Sequence, residues 1–332
     1  MESPERSRGS AAGRPEFSLV IPCLNEEAGL AQALESLVDD YVRERGEVLV
    51  VDGGSRDRTR EIAGRYIERG WPLRLLDNPE RLQSHALNIG IRASSGAVIV
   101  RADAHSLYPK DYVRRGVELL WDKGADNAGG VMWPVGETPF QKAVACAMRH
   151  PVGVGNARYH LGNYSGWNPD GVYLGAFRRD VFKKVGFYDP AAHPNEDAEF
   201  NLRMSLAGLK IWLDGTLRVT YFPRKSFSSL ARQYYLYGRG RRYTTRKHRR
   251  MTSWRQAVPI ALVIGLAGCF VAAPFFPFAL AGPGAYLAGL AVSALAVPCG
   301  ARESRGVRLR LPPVFVIMHV AWALGFLSRR DT

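Results

Sequence analysis

Three polar groups stand at the ends of three apolar runs. Asn25-Glu26 follows Phe17–Pro22, Asp52 closes Glu47–Asp52, and Asp103 closes Ala97–Asp103. A lone aspartate at such a place is ordinarily a turn or cap residue, but acidic groups at three run ends point to one shared site. Asp52 is followed by Gly53-Gly54-Ser55, glycines that let a ligand approach the backbone closely. The run before Asp103 is apolar except for Arg101, and His105 lies two residues beyond, so the two side chains can face the same way. A carboxylate and an imidazole so spaced suit a divalent cation that bridges phosphates, with substrate oxygens completing its shell.

The elements that position these groups read as alternating strands and helices. Phe17–Pro22 is a strand, and Leu30, Leu34, Leu37, Val38 and Tyr41 then recur at helical spacing. Strands over 47–52, 73–76 and 97–103 alternate with helices over 57–69 and 82–93. This order predicts an α/β fold, a mostly parallel sheet flanked by helices. In such sheets ligands sit beyond the carboxyl ends of the strands, where the three groups fall. Farther on, a helix-like run opens at Glu196-Asp197, where carboxylates also suit the helix dipole. Asn163–Asp170 (NYSGWNPD) is a loop whose Tyr164 and Trp167 suit sugar stacking, and Val172–Phe177 is strand-like. Arg178 and Arg179 are either phosphate contacts or ordinary surface charges.

Composition divides the 332 residues sharply. Residues 224–332 hold 17 of the 45 Lys and Arg but only two acids, Glu303 and Asp331, so the net charge of +14 belongs to the last third. A basic nucleic-acid-binding domain spanning the chain is excluded, and no nucleic-acid partner is expected. Cys23, Cys146, Cys269 and Cys299 are widely separated, with neither disulfide nor zinc spacing. The polar stretch 1–16 has no apolar core of the kind that directs export, so residues 17–225 are expected to be a cytosolic domain.

The last third follows a membrane pattern. Ala257–Ala281 is uncharged for 25 residues, long enough to cross a hydrocarbon core of about 30 Å. Pro274 and Pro277 are expected to kink it, Gly282-Pro283-Gly284 to form a tight turn, and Ala285–Cys299 and Leu311–Leu327 to follow as shorter apolar runs. The expected membrane region is 257–328. Residues 224–256 carry 11 Lys and Arg without an acid, and Arg302, Arg305, Arg308 and Arg310 precede the third run. These flanks predict a cytoplasmic basic segment and an external glycine turn; three crossings would leave Arg329 and Arg330 outside. Phe227, Leu230, Ala231, Tyr234, Tyr237 and Gly238 recur at helical spacing, so 226–256 reads as a basic amphipathic segment lying on anionic lipid.

Together these residues resemble the family-2 glycosyltransferases. The resemblance rests on Val20-Ile21-Pro22-Cys23-Leu24-Asn25-Glu26, on Val51-Asp52-Gly53-Gly54-Ser55-Arg56-Asp57-Arg58-Thr59, on Asn88-x-Gly90, on Asp103-Ala104-His105 and on Asn195-Glu196-Asp197. It covers roughly 17–225 and is nearest the succinoglycan-biosynthesis glucosyltransferase type. It implies a GT-A fold in which Pro22, Asn25, Glu26, Gly54, Ser55 and Asn88 line the nucleotide pocket and Asp52 accepts a hydrogen bond from the base, expected to be uracil. Asp103 matches the first carboxylate of the metal-binding DxD motif. His105 stands where a second aspartate is usual, and imidazole suits Mn²⁺ better than Mg²⁺. Asp197 matches the catalytic base.

The implied reaction is an inverting transfer of one sugar, from UDP-glucose by resemblance, to a polyprenyl-diphosphate-linked saccharide at the cytoplasmic face of the inner membrane. Gln233-Tyr234-Tyr235-Leu236-Tyr237 departs from the QxxRW signature of processive polysaccharide synthases, which argues against polymer extrusion. Two alternatives stand beside it: a polyprenyl-phosphate sugar synthase, and a catalytically silent nucleotide-sugar-binding membrane protein that organises an assembly complex.

Overall fold

The computed structural model describes residues 14–251, 253–299 and 305–328. Residues 1–13 of the polar extension, Arg302 of the basic loop and the Arg329-Arg330 pair lie outside the described residues. The elements run β1 (Phe17–Cys23), α1 (Leu30–Leu37), α2 (Asp40–Arg45), β2 (Gly46–Asp52), α3 (Thr59–Glu68), β3 (Leu73–Asp77), α4 (Gln83–Ala93), β4 (Val98–Arg101), α5 (Tyr112–Asp122) and β5 (Asn127–Pro134). There follow α6 (Pro139–Met148), α7 (Pro151–Val154), α8 (Arg158–Leu161), β6 (Gly166–Trp167), β7 (Tyr173–Arg178), α9 (Asp180–Val185), α10 (Glu196–Leu206) and β8 (Ile211–Tyr221). The last helices are α11 (Phe227–His248), α12 (Ala257–Ala272), α13 (Ala281–Ala296), α14 (Arg305–Arg308) and α15 (Leu311–Leu327). The chain forms two compact units, residues 1–129 with 174–187, and residues 130–173 with 188–332.

The first unit holds the strands in the order β3-β2-β1-β4-β7. β1 pairs in parallel with β2 and β4, β2 in parallel with β3, and only β7 runs antiparallel, to β4. Every residue of β1 is buried, so the strand reads as an unbroken apolar run rather than an alternation. Its one hydroxyl is satisfied: Ser18 Oγ donates to Glu47 Oε1 at 2.7 Å and accepts from the Gly96 N–H at 2.9 Å. Burial raises the affinity of Glu47 for a proton, but hydrogen bonds from Ser95 and Ser18 and the Arg74 charge outweigh it and hold the carboxyl below its usual range. Gly90 explains the glycine of the Asn88-x-Gly90 pair. A Cβ there would stand 2.4 Å from Val20 Cγ1, so only glycine lets α4 lie this close to the sheet.

In the second unit β8 lies between β5 and β6. Phe140, Val144, Met148, Leu230, Tyr234, Leu290, Phe315 and Met318 share one apolar core, which joins α6, α11, α13 and α15. α11 therefore does not keep its expected apolar stripe for lipid: Leu230, Tyr234 and Gly238 are buried. The reason is a close helix contact through glycine. A Cβ on Gly238 would stand 2.0 Å from the Trp322 carbonyl oxygen, and one on Gly325 would stand 1.9 Å from that of Tyr235.

Among the described residues, three helices are long and apolar enough to cross a membrane, Trp254–Ala272, Pro277–Ala296 and Arg305–Leu327. Their boundaries differ from expectation. The first apolar run is broken after Ala272 rather than kinked, and Gly282-Pro283-Gly284 lies inside the first turn of α13 instead of forming the connection. Proline removes a backbone donor and ends a helix interior, yet its fixed φ is accommodated in a first turn, where the N–H has no intrahelical partner. Pro274 accordingly falls between the helices, and Pro277 stands at the start of the second.

Candidate active site

The register of the first unit sets Cys23 opposite Asp52 and Asp52 opposite Asp77, so the ends of β1, β2 and β3 form one edge. Beyond that edge the loops after β1 and β2 are laced together. The Asn25 N–H donates to Ser55 Oγ (2.8 Å), the Arg56 N–H to Asn25 Oδ1 (2.9 Å) and the Glu26 N–H to Thr59 Oγ1 (2.7 Å). Asn25 takes a left-handed backbone conformation, φ 56°, which asparagine tolerates better than most residues. Pro22 is buried within β1, and Gly54 has φ 76°.

Asp52 is fully buried and already well supplied with donors. The Gly54 and Ser55 N–H groups each donate to it at 3.1 Å, the Ser55 hydroxyl donates as well, and Arg60 Nη1 lies at 3.0 Å. Burial raises its pKa, but Ser55 and Arg60 overcome that and hold the carboxyl below the ordinary carboxylate range. Arg60 also reaches Asp77 Oδ1 at 2.7 Å. Neither Arg60 nor Asp77 was singled out by the sequence. The strand end at Asp77 was the available signal, whereas Arg60, eight residues past Asp52 on α3, carried none.

Asp103 is buried past the end of β4. Gln83, the first residue of α4, donates to Oδ1 from Nε2 at 3.0 Å, and Arg101 Nε stands 3.9 Å from the same oxygen. The Asp103 N–H donates to the Tyr108 hydroxyl oxygen at 2.6 Å, and that hydroxyl reaches the Asp103 carbonyl at 3.0 Å. His105 turns toward β1, with Nδ1 3.0 Å from Glu26 Oε1. Asn88 is buried in α4, five residues beyond Gln83.

Among the described residues, no three His, Cys, Asp or Glu side chains form a group able to hold a metal by themselves. The donor set nevertheless fits a cation whose shell is finished by a substrate. Burial pushes the Cys23 thiol up, and the nearby carboxylates of Glu26, Asp52, Asp103 and Asp57 push it further, so several acidic groups gather around the end of β1. A divalent cation suits such a gathering of acids, with Asp103 and His105 as its candidate ligands.

The other carboxylates belong to the second unit. Asp197 is the second residue of α10; its side chain is exposed, and Oδ1 accepts the Ala198 N–H at 2.7 Å. Glu196 and Glu199 point inward. Glu199, completely buried, accepts from Arg203 Nε at 3.0 Å, from Lys247 Nζ at 2.8 Å and lies 2.9 Å from His248 Nε2, which ties α10 to α11. Tyr164 donates from its hydroxyl to the Trp167 carbonyl at 3.1 Å, and Trp167 packs edge-on against Trp212. Arg178 and Arg179 are not phosphate contacts. In the first unit Arg178 donates to the Ala125 and Leu120 carbonyls, and Arg179 to the Gly96 carbonyl and Ser94 Oγ.

Comparison with known proteins agrees with this geometry. The profile of Glycosyl transferase family 2 matches residues 18–186. Succinoglycan biosynthesis protein ExoA of Rhizobium meliloti (strain 1021) is 36% identical over 311 residues, 93% of each chain. A dolichyl N-acetyl-alpha-D-glucosaminyl phosphate 3-beta-D-2,3-diacetamido-2,3-dideoxy-beta-D-glucuronosyltransferase of Methanococcus voltae is 23% identical over 240 residues, 70% of this chain and 74% of that one. Among solved structures, mannosyltransferase PcManGT from Pyrobaculum calidifontis, in complex with GDP-Man and Mn²⁺, superposes with a TM-score of 0.60 at 20% identity, covering 96% of this chain and 89% of that one. S. aureus TarS 1-349 gives 0.52 at 16% identity, covering 94% and 90%. That likeness is of fold, the GT-A fold. On the profile match and the ExoA similarity, the chain belongs to glycosyl transferase family 2 and is a glycosyltransferase of polysaccharide or glycan biosynthesis.

Proposed function

We propose that the chain moves one sugar, glucose from UDP-glucose, onto a polyprenyl-diphosphate-linked saccharide at the cytoplasmic face of the inner membrane, with inversion of the anomeric centre. The observation that carries this reading is the meeting of Asn25, Glu26, Asp52, Ser55 and the Glu26–His105 pair beyond one sheet edge. ExoA's role in succinoglycan synthesis supports an exopolysaccharide product, and the dolichyl-linked substrate named for the Methanococcus protein supports a lipid-linked acceptor.

In this reading Pro22, Asn25, Glu26, Gly54 and Ser55 shape the nucleotide pocket, and Asn88 supports it from α4. Asp52 turns to the base when Arg60 releases it. Arg60 keeps a second carboxylate partner in Asp77, so that release leaves its charge paired. A divalent cation at Asp103 and His105, Mn²⁺ or Mg²⁺, supplies charge neutralisation to the departing diphosphate. Asp197 takes the proton of the acceptor hydroxyl as that oxygen attacks the anomeric carbon. A single displacement of this kind inverts the centre.

The metal assignment has a direct test. EDTA should abolish transfer and Mn²⁺ should restore it, while His105→Asp should move the preference toward Mg²⁺. Full activity in chelator removes the cation from the mechanism, and an unchanged metal profile for the variant places His105 outside the coordination shell.

A further inference from the structure

In the second unit a cavity of about 290 Å³ is lined by, among others, Asn156, Arg158, Asp170, Ser253, Trp254 and Arg255. That volume is near the lower end of ligand pockets, roughly 300–1,000 Å³, and suits a compact head group. Arg255 is preset: Nη2 pairs with Asp170 Oδ2 at 2.6 Å, and Nε donates to Ser253 Oγ at 2.9 Å. The Arg158 guanidinium lies over the Tyr164 ring, 4.2 Å from its centroid. Two arginines and one aspartate among the lining residues leave the cavity with a net positive charge, and the planar guanidinium forks match phosphate oxygens.

The position of the mouth narrows the ligand. Trp254 is 78% exposed at the cavity wall, and α12 begins three residues later. None of α12 is buried, so an apolar surface begins two residues past Arg255. Tryptophan and arginine at the head of an apolar helix mark the water–hydrocarbon boundary. A ligand with an anionic head and a hydrocarbon tail would meet both halves of this surface.

We propose that this cavity binds the phosphate group of the membrane-borne acceptor, with Arg158 and Arg255 as its ligands and Asp170 as a displaceable stand-in. The assignment rests on the lipid-linked acceptor proposed above and names the place where that acceptor is held. It also gives a role to the Asn163–Asp170 loop, whose Asp170 forms part of the wall and whose Tyr164 carries Arg158.

The test uses the full chain in phosphatidylcholine nanodiscs, titrated with a polyprenyl diphosphate and read through fluorescence that is lost in Trp254→Phe. Arg255→Gln and Arg158→Gln should each weaken binding by about tenfold or more, the loss expected for one charge-assisted contact. Asp170→Asn should tighten it by freeing Arg255, an outcome that misfolding would not produce. Inorganic pyrophosphate should compete at far higher concentration than the polyprenyl compound, and phosphatidylglycerol should not compete. Equal affinity in all variants, or displacement by phosphatidylglycerol at equal mole fraction, overturns the proposal. Sugar transfer, measured separately, reports on the wider reading: binding without transfer would defeat the proposed function and leave the cavity assignment standing.

Discussion

Asp197→Asn should lower turnover by about 10²- to 10⁴-fold, the cost of losing a positioned general base, with UDP affinity nearly unchanged. The substitution is conservative in shape. Asparagine retains an Oδ1 that can accept the Ala198 N–H now bound by the carboxylate, so α10 keeps its first turn. What it loses is the ability to take a proton. Glu196→Gln is the neighbouring control, and because Glu196 is buried its effect should be milder on turnover. Transfer within about threefold of wild type, a barrier change of under 1 kcal/mol, would place the base elsewhere. Loss of UDP binding would make Asp197 structural. Asp52→Ala should give the opposite pattern, a raised donor KM.

Glu199→Gln should be among the most destabilising single changes in the second unit. The carboxylate is fully buried while Arg203, Lys247 and His248 converge on it. Neutralising a buried carboxylate on which three such side chains converge costs about 3–5 kcal/mol. Burial raises the pKa of Glu199, but the Arg203, Lys247 and His248 contacts outweigh it, so the folded value lies below the ordinary 4.5. Its contribution is therefore complete above that value and is lost as pH falls through the lower folded one. Lys247 is the mirror case. Burial lowers its pKa, Asp189 and Glu199 raise it above 10.5, and its contribution disappears only as pH rises through that higher value. Thermal unfolding across pH 3–6 should show wild type losing stability on acidification and Glu199→Gln losing less. Parallel curves for the two proteins would remove Glu199 from the network.

The sheet was legible because its strands are continuous apolar runs. β1, β2 and β4 each end close to a polar group that the topology then gathers, and the motif residues of the loops after β1 and β2 are the ones that bind each other. Two kinds of feature were not legible. Partners supplied by helices, such as Gln83 of α4 on Asp103 and Arg60 of α3 on Asp52, leave no local trace, because a side chain donating across the sheet edge is under no spacing rule. The packing of α11 was hidden for a related reason. Tyr234 and Gly238 read as an amphipathic stripe, and the sequence does not say whether lipid or another helix covers it. Gly325, inside an apolar run, proves to be the close-contact partner. In consequence, cutting the chain near Tyr221 would remove α11 and α15 from the core that α6 shares with them, so such a truncation disturbs folding as well as membrane contact.

Transfer from a nucleotide sugar to a lipid-linked acceptor by a single displacement fixes both the size and the stereochemistry of the product. Both are read on the product formed from an α-linked UDP-sugar by the full chain in membranes bearing lipid-linked saccharide. The lipid-linked product should be one sugar longer and joined through a β linkage, with Asp197→Asn forming almost none. An α-linked product, or UDP release that does not depend on the lipid acceptor, would contradict it.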